Sequence, residues 1–225
     1  PAATVAAIRE QAGNGITAML PTADASLVSR ELASRFGLPL WQFTVSATDA
    51  NRHVIRYSRL LTGRSKIVVI DRCYHGSVDE TFATLDEKGN TVAREGNIGA
   101  PVDLAQTTRV VEFNDLAGME AALANGDVAA ILMEPAMTNV GIVLPNAGYL
   151  EAVSSLAKKY GTLLIIDETH TISIGVGGMT KANNLQPDFL TIGKAIAGGI
   201  PTGTFGMTHK IADDIKRMVE LEIID

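Results

Sequence analysis

The stretch IIDETHTISIG, residues 165–175, places two adjacent carboxylates directly after a run of apolar residues. That run begins at residue 162, and its length and branched side chains indicate a strand buried on both of its faces. Asp167 and Glu168 then follow the end of this strand. Because a buried carboxylate needs a cationic or hydrogen-bonding partner, the stretch predicts that other parts of the chain supply one.

Four further apolar runs have the same length and character as TLLII (162–166). They are IVVI (67–70), VVEF (110–113), AAILM (129–133) and FLTIG (189–193). Helical periodicities lie between several of them, at 115–126 and 146–161, and each ends at a glycine, as helices often do. This alternation predicts an α/β fold with a mostly parallel mixed sheet flanked by helices.

Two other segments complete this organisation. Residues 22–37 have a helical period and end at a glycine, so they predict a further helix. Residues 85–107 have little periodicity and many turn-forming residues. We interpret them as a long excursion or lid.

Composition limits the classes of function. The chain has 225 residues, 46% of them hydrophobic, and a net charge of −6, which gives no electrostatic reason to expect nucleic-acid binding. No apolar stretch approaches the roughly 20 residues that cross a bilayer, so no membrane partner is expected. The single cysteine, Cys73, excludes an intramolecular disulfide and fits a reducing compartment. A cytoplasmic location is therefore predicted.

Ligands of open α/β sheets bind beyond the carboxyl ends of the strands. Polar residues follow four of the predicted strands at that position, namely Tyr74 and His75, Glu134, Asp167 and Lys194. Because these strand ends meet at one edge of a parallel sheet, we expect the side chains to lie close together.

Asp167 and Lys194 together suit pyridoxal 5′-phosphate (PLP). A lysine amine in an apolar pocket can form a Schiff base with an aldehyde, and a carboxylate can stabilise a protonated pyridine nitrogen. PLP needs both groups if its ring is to act as an electron sink. Its phosphate also needs a binding site, and residues 44–63 predict a helix whose N-terminus favours an anion, aided by the hydroxyls of Ser46 and Thr48.

Five ordered segments make the chain resemble the class III, fold type I family of PLP-dependent aminotransferases. Within it, the pattern is nearest the branch of glutamate-1-semialdehyde aminomutases and β-amino-acid or amine transaminases. The segments are SATDAN (46–51), CYHGS (73–77), FND (113–115), MEPAMTNVG (133–141) and IIDETHT…IGKAIAGGIPTGTFG (165–206). Each is short, but their order and spacing together are specific, and they extend over most of the chain.

The resemblance implies a role for each matched residue. Lys194 is implied to be the Schiff-base and proton-transferring lysine, and Asp167 the partner of the pyridine nitrogen. The implied cofactor-binding residues are Ser46, Ala47, Thr48, Tyr74, His75, Glu134, Asn139, Asp167, Thr169 and Lys194. Several positions depart from the family pattern. Ala47 replaces a glycine, Asp49 replaces a glutamate, and Thr169 stands where many members have valine. His170 and Thr171 replace a pattern that often continues into glycine and an aromatic residue. These departures bear on the substrate more than on the cofactor.

The resemblance also implies an activity and partners. The main expectation is an aminotransferase that moves an amino group between an amine or amino acid and an oxo acid or aldehyde. An aminomutase of the glutamate-1-semialdehyde type, or a non-catalytic PLP-binding fragment, is the alternative. A homodimer with the active site at the subunit interface is implied. Residues 1–225 are expected to be the PLP-binding large domain with a partial N-terminal segment, without the C-terminal small domain of family members.

Other interpretations of these residues remain open. Asp167, Glu168 and His170 could instead bind a metal ion in a hydrolase, although no histidine-rich segment supports this and we predict no metal site. Taken singly, a carboxylate pair usually begins a solvated loop, a lone lysine usually lies at the surface, and SATDAN can be a plain helix N-cap. Those explanations leave the order of the five segments unexplained.

Overall fold

The computed structural model describes residues 1–15, 21–99 and 102–223. The strands are β1 (Leu40–Thr44), β2 (Lys66–Ile70), β3 (Ala83–Leu85), β4 (Thr91–Ala93), β5 (Thr108–Val111), β6 (Val128–Met133), β7 (Leu163–Asp167), β8 (Phe189–Ile192) and β9 (Gly203–Met207). The helices are α1 (Ala2–Asn14), α2 (Ala23–Phe36), α3 (Ala47–Thr62), α4 (Leu116–Leu123), α5 (Tyr149–Tyr160), α6 (Gly178–Ala182) and α7 (His209–Glu220).

Seven strands form one mixed sheet in the order β1-β9-β8-β7-β6-β2-β5. From β8 to β5 every neighbouring pair is parallel, whereas β9 runs antiparallel to β8 and β1 runs antiparallel to β9. All five apolar runs of the sequence form strands of this sheet. The predicted α/β fold with a mostly parallel mixed sheet is therefore confirmed.

The core lies on both faces of the central strands. All six residues of β6 are buried, because helices cover the two faces of a parallel sheet. The predicted helices are confirmed as α2, α4 and α5, and α2 and α5 each end at a glycine. Strands β1 and β9 had not been predicted, because LWQFT and GTFGM lack a continuous run of branched apolar residues.

The segment 85–107 differs in part from the predicted excursion. Strands β3 and β4 pair as a short antiparallel hairpin, and the Asp86 carboxylate orders its turn by accepting hydrogen bonds from the amides of Lys88 and Asn90. This local chemistry replaces the hydrophobic periodicity that the segment lacks. Residues 100 and 101 lie outside the described residues.

None of the described helices is a candidate membrane span. Within 1–15, 21–99 and 102–223, none combines the length and the apolar character that crossing the hydrocarbon region requires.

Candidate active site

The carboxyl edge of the sheet opens onto a cavity of about 410 Å³. Eight of the predicted site residues line it, namely Ser46, Ala47, Thr48, Tyr74, His75, Asp167, Thr169 and Lys194. Two more, Glu134 and Asn139, do not. The fold thus brings together residues from α3, from the loop after β2 and from the ends of β7 and β8, as strand-end geometry predicts.

Asp167 is the last residue of β7 and is almost completely buried. Its Oδ2 accepts hydrogen bonds from Nδ1 of His75 at 2.8 Å and from Nδ2 of Asn51 at 3.0 Å, and its Oδ1 accepts one from the Thr169 amide at 3.0 Å. Burial alone would raise the pKa of Asp167, but the hydrogen bond and the positive charge of His75 lower it to about 2. The carboxylate is therefore ionised and fixed in orientation.

His75 is the cationic partner of Asp167, which the sequence alone did not identify. It is fully buried, and burial lowers its pKa, whereas Cys73 and the hydrogen-bonded Asp167 raise that pKa well above its usual range. Its second ring nitrogen, Nε2, is buried without a partner among the residues that the structure describes. The site therefore contains a buried imidazolium–carboxylate pair at its base.

The N-terminus of α3 forms one end of the cavity. Ser46 is the N-cap, and its hydroxyl accepts a hydrogen bond from the Asp49 amide at 3.1 Å. Ala47 and Thr48 begin the helix and line the cavity, where the first-turn N–H groups lack helical acceptors. The interpretation of SATDAN as a helix N-cap is thus correct for Ser46. It is compatible with a phosphate site, because the N–H groups at the start of the helix can still donate to an anion.

Two glycines let the neighbouring backbone pack closely against the first turn of α3. An added Cβ at Gly193 would lie 2.6 Å from the Cβ of Ala47. Gly76 has φ +81°, and a Cβ there would overlap the side chain of Thr48. Ala47 itself lies in the regular first turn of α3, outside the left-handed region, so alanine fits where the family pattern has glycine.

Lys194 follows β8 and begins a short 3₁₀ turn that ends at Ala197. Its side chain is exposed and lines the cavity, and its backbone is left-handed, with φ +44°. That conformation costs a non-glycine residue about 1–2 kcal/mol. Strain of this kind is concentrated at functional sites, so it supports a functional role for Lys194.

Glu134 and Asn139 brace the loops around the cavity without lining it. The Glu134 carboxylate accepts hydrogen bonds from the Thr138 hydroxyl and from Nδ1 of His170, the latter at 3.3 Å. Nδ2 of Asn139 donates to the carbonyl oxygen of Arg72 at 3.1 Å. Contact between Glu134 or Asn139 and a cofactor therefore remains a prediction.

Glu168 points away from the cavity although it follows Asp167 directly. It is fully buried, and its carboxylate accepts hydrogen bonds from the hydroxyl of Thr171 and from the amides of Met179 and Thr180 at the start of α6. Because His170 faces Glu134, the three side chains of the proposed metal cluster diverge. Within the described ranges, no group of three or more His, Cys, Asp or Glu residues could hold a metal ion.

Replacing Glu168 with glutamine is expected to destabilise the fold by about 2 kcal/mol, because an NH₂ group would face backbone donors. Urea unfolding would measure this loss. Glu87→Gln, at an exposed turn position, is the control and should leave the free energy of unfolding unchanged. Equal stability of the two variants would show that the Glu168 carboxylate does not anchor α6.

Two contributors to the site were not predicted from the sequence. Asn51 and Thr191 are both completely buried, and they form a hydrogen-bonded chain with Asp167. The available signal was the amide at the end of SATDAN, one helical turn after Ala47 and next to the buried Ala50. An amide on the apolar face of a helix needs polar partners within the core.

Known proteins are similar to this chain over most of its length. Residues 2–218 match the family model described as Aminotransferase class-III. A solved glutamate-1-semialdehyde-aminomutase from Pseudomonas aeruginosa PAO1 is 52% identical, with a TM-score of 0.93, over 96% of this chain and 48% of that one. A variant of that protein was solved in complex with PMP.

Two further similar proteins are a transaminase and an aminomutase. An omega-transaminase from Sphaerobacter thermophilus is 29% identical, with a TM-score of 0.85, over 93% of this chain and 50% of that one. The glutamate-1-semialdehyde 2,1-aminomutase of Methanothrix thermoacetophila is 34% identical over 210 residues, which are 92% of this chain and 49% of the relative. The chain thus spans about half the length of the curated relatives it matches. The predicted resemblance and fold type are confirmed.

Proposed function

Because the chain belongs to the class-III aminotransferase family, which uses PLP, we propose that it binds PLP in this cavity. With PLP bound, it would transfer an amino group as an aminomutase of the glutamate-1-semialdehyde type. The observation that carries the chemistry is the placement of Asp167 and Lys194 in one cavity with the N-terminus of α3. The similarity to aminomutases, at 52% and 34% identity, favours this alternative over the broader expectation of a transaminase.

The residues present fit the cofactor at both of its ends. The ionised Asp167 can hold a proton at the pyridine nitrogen, and three fixed donors keep its oxygens in place. The first turn of α3 can bind the phosphate, and the glycines beside it let the neighbouring backbone pack closely against that turn. Tyr74 and Thr169 line the cavity and can cover the two faces of a flat ring.

When bound, PLP supplies an aldehyde for amine exchange and a ring that accepts electrons. Lys194, whose amine lines the cavity, would hold the cofactor there. With a substrate amine in the site, Nζ of Lys194 would act as general base and acid, removing a proton from the amine-bearing carbon and later returning one. Asp167 would hold a proton at the ring nitrogen, and the hydrogen bond from His75 keeps Asp167 ionised.

An aminomutase returns the amino group to the carbon skeleton from which it came. We therefore expect the protein, loaded with PLP, to convert glutamate-1-semialdehyde into an isomer of identical mass without an added amine donor. Chromatography with mass detection and NMR would identify the product. Turnover that requires both a separate amine donor and an oxo-acid acceptor would instead identify a transaminase, and PLP binding without either reaction would identify a non-catalytic cofactor-binding protein.

The surroundings of the cavity support further parts of this proposal. Large apolar side chains are exposed on loops beyond the carboxyl edge of the sheet, namely Val45, Tyr74, Ile142, Leu144, Val176 and Ile200. Large apolar side chains left exposed at one edge of a sheet favour a subunit interface there, which supports a homodimer whose contact surface includes the active site. The sheet, its loops and the first turn of α3 supply every lining residue, which supports a PLP-binding large domain over 1–225. The buried, unpaired thiol of Cys73 supports a cytoplasmic location.

A further inference from the structure

The amide of Asn51 uses all of its hydrogen-bonding groups in the interior. Nδ2 donates to Oδ2 of Asp167 at 3.0 Å and to the carbonyl oxygen of His75 at 3.1 Å, while Oδ1 accepts from the Thr191 hydroxyl at 2.8 Å. Because the carbonyl oxygen of His75 and the carboxylate of Asp167 can only accept, both must face Nδ2, which leaves Oδ1 to accept from the Thr191 hydroxyl.

Asn51 also belongs to the helix that forms the opposite end of the cavity. It lies one turn after Ala47, so both residues are on the same face of α3. A displacement of α3 along or about its axis would break the bonds of Asn51 to Asp167 and His75. The amide is therefore a direct link between the first turn of α3 and the carboxylate at the end of β7.

PLP is rigid, so the separation between its phosphate and its ring nitrogen is nearly constant. A site binds both ends at full strength only if its two halves are held at the matching separation. We propose that Asn51 is a positioning residue that fixes the phosphate-binding turn of α3 relative to Asp167, so that the two ends of PLP bind cooperatively. This inference rests on the proposed function.

The test compares PLP with its two halves. Dissociation constants for PLP, pyridoxal and inorganic phosphate are measured by absorbance and competition. The product of the constants for the two halves, divided by the constant for PLP, gives the advantage of the linked molecule over the separate halves. In Asn51→Ala we expect this advantage to fall about tenfold, the effect of roughly one hydrogen bond, while each half alone binds almost as it does in the parent protein. A purely structural amide would change the fold's stability and leave the advantage unchanged.

Matched variants distinguish a loss of cooperative PLP binding from a general loss of stability. Ser58→Ala removes a buried hydroxyl of α3 that bonds only within the helix, to the carbonyl oxygen of Val54, and should leave the advantage as in the parent. Thr191→Val removes the hydroxyl that orients Asn51 and should lower the advantage by a smaller factor, whereas Thr191→Ser should retain it. If Asn51→Ala does not fold, the Thr191 pair decides the question.

The outcomes separate this inference from the function on which it rests. Failure of the parent protein to bind PLP would overturn the proposed function itself. Normal PLP binding by the parent, with an unchanged advantage in the folded Asn51 or Thr191→Val variant, would overturn only the positioning role of Asn51.

Discussion

Lys194→Ala is expected to abolish both covalent capture of PLP and turnover. Lys194 is the lysine that lines the cavity, directly beside the first turn of α3 through Gly193. Removing its amine leaves no nucleophile at that place for the aldehyde and no group to move the substrate proton. Asp167 and the turn of α3 remain, so the variant should still bind PLP without a covalent bond.

Borohydride reduction followed by peptide mass mapping would check this result. In the parent protein the cofactor should be fixed to the peptide that contains Lys194, and in the variant it should be lost on denaturation. Lys88→Ala, at an exposed position of the β3–β4 turn, is the control and should behave as the parent. An adduct at another lysine, or full turnover of the alanine variant, would contradict the assignment.

Asp167→Asn is expected to lower kcat/KM by about 10²–10³-fold, the range seen when one electrostatic contact to a developing charge is removed. The neutral amide cannot hold a proton at the ring nitrogen, so the electron sink is weakened. A second effect follows from the geometry. Both carboxylate oxygens accept hydrogen bonds, so one end of the new amide must present N–H groups to a donor, at a cost of about 2 kcal/mol of stability.

Steady-state kinetics and urea unfolding together would separate the two effects. Asp213→Asn, on the exposed side of α7, is the control and should change neither quantity. Unchanged kcat/KM in Asp167→Asn would refute the role of Asp167 at the ring nitrogen, whatever its effect on stability.

The sequence predicted the central sheet because its signal is local. Parallel strands buried on both faces need continuous apolar runs, and all five such runs form strands here. Strand β1 is only half-buried at an edge, and β9 contains glycines where α3 and β1 approach closely, so neither shows that pattern. The hairpin within 85–107 was missed because the side chain of Asp86, and not hydrophobic periodicity, orders its turn.

The candidate site was also predicted in large part, because its signals too are local in the sequence. Strand ends and the helix N-terminus can be located from sequence, so eight of the predicted residues line the cavity. Glu134 also follows a strand, but its side chain turns to Thr138 and His170. The direction in which a loop side chain points depends on neighbours that are remote in sequence.

By itself, the sequence determined which segments are buried, where the strands end and which chemical groups follow those ends, since burial and periodicity are properties of neighbouring residues. Only the tertiary structure decided how those groups pair. Successive residues at the end of a strand project to opposite sides, so Asp167 faces the cavity and Glu168 faces α6. The partners His75 and Asn51 come from separate elements, and only the packing of α3 and the loop after β2 against β7 brings them within hydrogen-bonding distance of Asp167.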